Sequence, residues 1–143
     1  MCGIIGISSN KSVSSSIINS LKKLEYRGYD SAGIATLSNG LINEIKSKGR
    51  VENLENNFNL ENLSGNIGIG HVRWATHGVP NSINAHPHSS YNVSVVHNGI
   101  IENSTLLKKY LLSKGHKFKS QTDTEVIVHL ITENLKISQL HDA

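Results

Sequence analysis

The apolar positions of this chain come in short runs whose spacing changes from one element to the next. Residues 2–7 (CGIIGI) are apolar, β-branched and punctuated by glycine, the signature of a short buried strand. Ile17, Ile18, Leu21 and Leu24 then fall at i, i+1, i+4 and i+7, one face of a helix preceded by serines suited to capping it. Residues 26–30 end that helix as a loop. Residues 33–37 and 41–46 flank Ser38-Asn39-Gly40, and an Asn-Gly pair between two such runs predicts a hairpin. Val51, Leu54 and Phe58 predict a short helix, 67–72 a buried strand, and 94–97 another. Between those strands, 73–90 is a long loop dense in His, Asn, Pro and Gly; loops longer than about 12–15 residues in a compact domain are usually functional or disordered. Asn103 and Ser104 cap a helix carrying Leu106, Leu107, Tyr110 and Leu111, which stops at Gly115. Residues 117–120 read as a short strand. Thr122 and Glu125 have capping-box spacing and open a last helix with Val126, Ile127, Leu130, Ile131 and Leu135 on its apolar side. This mixed order of strands and helices favours an α+β fold over a wound parallel sheet.

The 143 residues suit one domain and can bury one core. A hydrophobic fraction of 37% sets the chain apart from disordered sequences, because Ile and Leu recur in patterned runs. No stretch approaches the roughly 18 apolar residues of a membrane span. A basic segment leading into an apolar one, as in a secretory signal, is missing too. A soluble protein of the cytosol, away from membranes, is the expectation. The net charge of +3 does not point to nucleic acid. Lysines lie singly or in pairs among serines and asparagines, there are three arginines, and aromatics are 5%, whereas nucleic-acid binders carry a basic stripe interleaved with aromatics.

The single cysteine excludes an internal disulfide and a cysteine-rich zinc site. It is Cys2. Either it is a small buried hydrophobe of the first strand, or its place beside the initiator methionine matters. Methionine is ordinarily removed before a small residue, which would put thiol and α-amine on one residue. An α-amine has an ordinary pKa of about 7.7–8.0, so it can take the thiol proton at neutral pH and return it to a leaving group. Attack on a carboxamide would give a thioester and release ammonia.

Asn98 and Gly99, after a predicted strand, are either a plain turn or paired donors for a tetrahedral oxyanion, one such donor being worth about 2.7–4 kcal/mol. Arg73, at another strand end, is either a surface arginine beside a core tryptophan or a bidentate clamp for a carboxylate, aided by a nearby hydroxyl. Asp123 either caps a helix or binds an ammonium. Together Arg73 and Asp123 would grip an α-amino acid. Five of eight histidines (His71, His77, His86, His88 and His97) lie within 27 positions. Their spacing matches no helical zinc pattern, so they read as groups that hydrogen-bond loop backbone, with 84–88 a rigid turn, rather than as metal ligands.

The opening Met-Cys-Gly-Ile, YRGYDSAGIA (26–35), HVRWATHG (71–78), NAHPH (84–88), VVHNGIIEN (95–103) and TDTEV (122–126) resemble the class II glutamine amidotransferases. More narrowly, they resemble the glutaminase domain of the aminotransferase family that makes glucosamine 6-phosphate from fructose 6-phosphate and L-glutamine. The motifs run in family order to about position 137. Relatives in purine and asparagine synthesis share the cysteine and the Asn-Gly but not RWATHG together with NAHPH. The resemblance implies an N-terminal-nucleophile (Ntn) hydrolase fold, a four-layer αββα sandwich. It implies Cys2 as nucleophile with its own amine as base, Asn98 and Gly99 as the oxyanion hole, and Arg73, Thr76, His77 and Asp123 holding glutamine. Trp74 matches a mobile loop that closes over substrate, and Arg27 an arginine near the nucleophile. No cofactor or metal is implied. Family glutaminase domains continue past position 143 into further strands and then sugar isomerase modules, in proteins that are homodimers. The chain is therefore expected to be a partial glutaminase domain, residues 1–143, reaching fructose 6-phosphate only through a missing isomerase part. A non-catalytic fragment that keeps the site, and a subunit delivering ammonia to a different acceptor domain, stay open beside that reading.

Overall fold

A computed structural model describes residues 1–75 and 78–136, with all their side chains except that of Glu61. The elements are β1 (Gly3–Ser8), α1 (Ser14–Leu24), β2 (Ser31–Ser38), β3 (Leu41–Lys48), α2 (Glu52–Asn57), β4 (Ile67–Arg73), β5 (His88–Ser90), β6 (Val93–Val95), α3 (Ser104–Ser113) and α4 (Glu125–Asn134), with 3₁₀ turns at Glu25–Arg27 and Leu60–Asn62. Strands β1–β4–β2–β3, in that order, form an antiparallel sheet. The predicted hairpin joins β2 to β3, with Asn39 and Gly40 both at positive φ.

Helix α1 lies across one face of this sheet. Gly68 and Gly70 of β4 leave the surface bare there, and a Cβ on either would sit within 2.7 Å of an Ile17 methyl group. Ile17, Ile18 and Leu21 of α1 join Ala32, Ile34, Val72 and Leu54 in the core. Each large aliphatic side chain so buried contributes about 1.5–3 kcal/mol. The other face of the sheet carries residues 84–88, pressed so close that a Cβ on Gly33 would lie 2.2 Å from the His86 carbonyl oxygen. Beside it runs the β5–β6 hairpin, and α4 packs on both its strands with α3 outside. The layers are α, β, β, α, the order of the expected α+β sandwich. Among the described residues, no helix is long and apolar enough to cross a membrane.

Several local expectations need correction. None of the three long helices is capped by a side chain. Ser14 instead bonds the Leu63 carbonyl, tying α1 to the segment before β4. The capping box of α4 does not form, because Glu125 accepts Lys119 N–H at 2.8 Å, Ser120 N–H at 2.7 Å and Ser120 O–H at 2.6 Å. Those same bonds explain why 117–120 is not a strand: its N–H groups are taken by a carboxylate, not by a neighbouring strand. The loop expected over 73–90 ends in β5, the strand expected at 94–97 is Val93–Val95, and the loop at 26–30 begins in a 3₁₀ turn. Helix α3 does end as predicted. Gly115, at φ +87, lets its N–H reach Leu112 O and the His116 N–H reach Leu111 O, a Schellman stop. Of its apolar stripe only Leu111 is buried; Leu106 and Tyr110 are exposed. On α4 the buried residues are Glu125, Val126, Val128, His129 and Thr132; of the predicted stripe Val126 is buried and Ile127, Leu130, Ile131 and Leu135 are half-buried, because the helix meets β5, β6 and α3 at once.

Candidate active site

At one end of the four-stranded sheet, the start of β1 and the end of β4 lie side by side, Gly3 opposite Val72. That pairing sets Cys2 against Trp74. The Trp74 N–H donates to Cys2 Sγ at 3.2 Å, and the thiol faces the Trp74 carbonyl oxygen at 3.5 Å. Arg27 holds the same end from the other side, its Nε donating to the Cys2 carbonyl oxygen at 3.0 Å, with Nη2 3.9 Å from Met1 Sδ.

Cys2 opens on a cavity of about 350 Å³ lined also by Met1, Arg27, Arg73, Trp74, Asn98, Gly99 and Asp123. Of the nine residues singled out in the sequence, the structure brings together seven: Cys2, Arg27, Arg73, Trp74, Asn98, Gly99 and Asp123. Thr76 and His77 lie outside the described residues. Arg73 is buried, and the Asp123 carboxylate accepts the Ile101 N–H at 2.6 Å, which places a guanidinium and a carboxylate on one cavity wall. Burial pulls the Arg73 pKa down against the opposing pull of Cys2, Asp30 and Asp123; a guanidinium stays charged regardless. Trp74 is 45% exposed, edge-on to Tyr29 at 5.8 Å between ring centres.

The histidines divide by depth. His71, His86 and His88 are buried, the first two stacked at 4.4 Å and the next pair edge-on at 4.8 Å. Burial takes His71 and His88 down to about 4, and pushes His86 down as well, so all three are neutral at pH 7. Their hydrogen bonds run to the loops that carry the site: His71 Nε2 to Asn98 Oδ1 at 2.8 Å, His88 Nε2 to Thr122 Oγ1 at 2.8 Å, and the His97 N–H to His86 Nδ1 at 3.3 Å. His97 itself meets Thr124 Oγ1 at 3.2 Å. Among the described residues no group of three or more His, Cys, Asp or Glu could hold a metal ion.

Sequence reasoning missed Gly28 and Asp30. Asp30 accepts the Ala75 N–H at 2.8 Å through Oδ2 and donates its own N–H to the Arg73 carbonyl oxygen at 3.0 Å, clasping the strand end that carries Arg73 and Trp74. Both residues stand in the motif YRGYDSAGIA, but no spacing rule separates a clasp from an ordinary loop aspartate.

Comparison with known proteins points the same way. The family model described as glutamine amidotransferase domain matches residues 56–136. The glutamine–fructose-6-phosphate aminotransferase (isomerizing) of Clostridium acetobutylicum is 59% identical over 133 residues, 92% of this chain and 22% of that protein. Its namesake from Pyrococcus horikoshii is 57% identical over 140 residues, 96% of this chain and 23% of the relative. The chain thus spans about a fifth of the length of these curated relatives. Among solved structures, glutamine phosphoribosylpyrophosphate amidotransferase from B. subtilis aligns with a TM-score of 0.80 at 31% identity, over 99% of this chain and 31% of that one. A structure described as the allosteric regulatory enzyme of purine biosynthesis aligns at 0.81, also 31% identical, with the same coverage of both chains. With more than half its length matched by the family model, and with the fold of two solved relatives, the chain belongs to the glutamine amidotransferase domain family.

Proposed function

We propose that this chain hydrolyses the side-chain amide of L-glutamine through a thioester on Cys2. The observation that carries the reading is the meeting, on one cavity, of a thiol facing a backbone N–H, the Asn98–Gly99 pair, and a guanidinium with a carboxylate. Arg73 takes the α-carboxylate of glutamine and Asp123 its α-ammonium, so the amide is held toward sulfur. Thr76 and His77 complete this grip, and Trp74 covers it. With Met1 removed, the Cys2 α-amine accepts the thiol proton. The thiolate then adds to the amide carbonyl, and the oxyanion is held by Asn98 Nδ2 and the Gly99 N–H. Collapse breaks the C–N bond, and the α-ammonium returns its proton to the departing ammonia. Water then cleaves the thioester, leaving glutamate and the free thiol. In the complete enzyme, the ammonia passes to fructose 6-phosphate, as the names of the relatives suggest.

Glutamate release from glutamine tests the reading. Cys2→Ala should lower it by about a thousandfold or more with glutamate still bound. Retained Met1, seen by intact mass, should abolish turnover, because it lines the cavity and makes the base an amide nitrogen. Wild-type turnover by the Cys2→Ala protein would overturn the mechanism.

A further inference from the structure

Asn98 is exposed on a loop without strand partners, yet its side chain has a fixed neighbour. Its Oδ1 lies 2.8 Å from His71 Nε2. An amide oxygen only accepts, so the proton between them belongs to His71 Nε2. A side-chain amide turned over by half a rotation would face the cavity with its oxygen, which repels an oxyanion instead of holding one. We infer that His71 is a positioning residue: by donating to Oδ1 it sets the Asn98 amide with its nitrogen toward the cavity that Cys2 opens on.

The surroundings of His71 suit that task. It sits on β4, the strand between β1 and β2, opposite Ile4 on one side and Gly33 on the other. It is 1% exposed and its ring is stacked on His86, so it cannot swing away from Asn98. Burial keeps the ring neutral, against the opposing pull of the Asn98 bond, with a pKa of about 4. A neutral imidazole has one N–H, and the contact at 2.8 Å places it on Nε2, facing Oδ1. The rigidity of the sheet is thereby passed to a loop that has little of its own, which is the preorganisation an oxyanion donor needs.

This inference rests on the glutaminase reading, and its test separates the two. His71→Leu removes the donor, His71→Gln keeps an N–H at similar reach, and His71→Asn carries an amide too short to reach Asn98. For glutamine hydrolysis, kcat should fall by about a hundredfold in His71→Leu with KM within about threefold, because Arg73 and Asp123 are untouched. His71→Gln should recover at least tenfold of that loss, and His71→Asn should not. Alkylation of Cys2 by iodoacetamide develops no oxyanion, so its rate should stay near wild type. A His71→Leu kcat near wild type, or equal kcat for His71→Gln and His71→Asn, would overturn the inference. If His71→Leu fails to fold, the Gln and Asn pair decides alone. If the wild-type protein releases no glutamate, the glutaminase reading falls. The side-chain amide resonances of Asn98 then decide the inference: one sharp pair in wild type and in His71→Gln, and a shifted or broadened pair in His71→Asn, support it, while identical spectra overturn it.

Discussion

Gly28 lies where the backbone of Arg73 and Trp74 crosses the turn after α1. A Cβ there would stand 2.6 Å from the Arg73 carbonyl carbon and 2.7 Å from the Trp74 nitrogen. Its φ of 179° is extended and open to any residue, so the demand is for space rather than for an unusual conformation. Both neighbours are main-chain atoms that cannot rotate aside. Added volume must therefore shift the Arg73–Trp74 backbone, and with it the N–H that points at Cys2 Sγ. Gly28→Ala should cost about 1–3 kcal/mol in urea unfolding, the usual penalty of overpacking, and lower kcat for glutamine hydrolysis by at least about tenfold. Wild-type kcat with wild-type stability would show that the contact relaxes freely.

At the scale of elements, Glu125 replaces a helix cap with a longer reach. Burial raises its pKa, but the bonds from Ser120 O–H, Lys119 N–H and Ser120 N–H outweigh that and hold it below the ordinary carboxylate value. Through Ser120 the network extends to Thr122 and on to His88, so the segment bearing Asp123 hangs between α4 and the buried histidines. Glu125→Gln turns an NH₂ group toward donors. It should destabilise the fold by about 2–3 kcal/mol, the worth of a hydrogen bond to a charged group, and raise KM for glutamine more than it lowers kcat; an unchanged urea midpoint would refute it. The same residue marks what the sequence conveys. Strands β1 to β4, the hairpin turn and the stop of α3 were legible, because apolar period and Asn-Gly or Gly signals act over a few neighbours. The role of Glu125, the exposure of Leu106 and the short β5–β6 pair were not, since tertiary partners decide them. Of the site, Cys2, Asn98, Gly99, Arg73 and Asp123 were legible as chemistry at strand and helix ends. Gly28 and Asp30 were hidden, their partners being main-chain atoms some 45 residues away.

Across the whole molecule, three buried imidazoles lie between the four-stranded sheet and the second layer. His71, His86 and His88 sit there beside the buried Ala85, facing Arg73 at the end of β4, Lys46 from β3 and Glu125 from α4. An imidazole in the unfolded chain titrates near 6.5, whereas His71 and His88 in the fold titrate near 4. Between those two values the unfolded chain binds protons that the fold refuses, so stability falls as the pH falls. The loss begins near pH 6.5 and is complete near pH 4, at which point it is on the order of 3 kcal/mol for each of these two histidines. The rings touch, so the losses do not add. Lowering the pH from 7.5 to 5 should reduce Tm by at least about 5 °C, while the His71 and His88 ring resonances stay untitrated down to pH 5. Since His71 and His88 hold Asn98 and Thr122, the order of these loops should be lost with the melt and not before it. A Tm flat across this range, or ring protons titrating near pH 6.5 in the folded protein, would mean that water reaches the histidine layer. The loops would then owe their order to Glu125 and Asp30 instead.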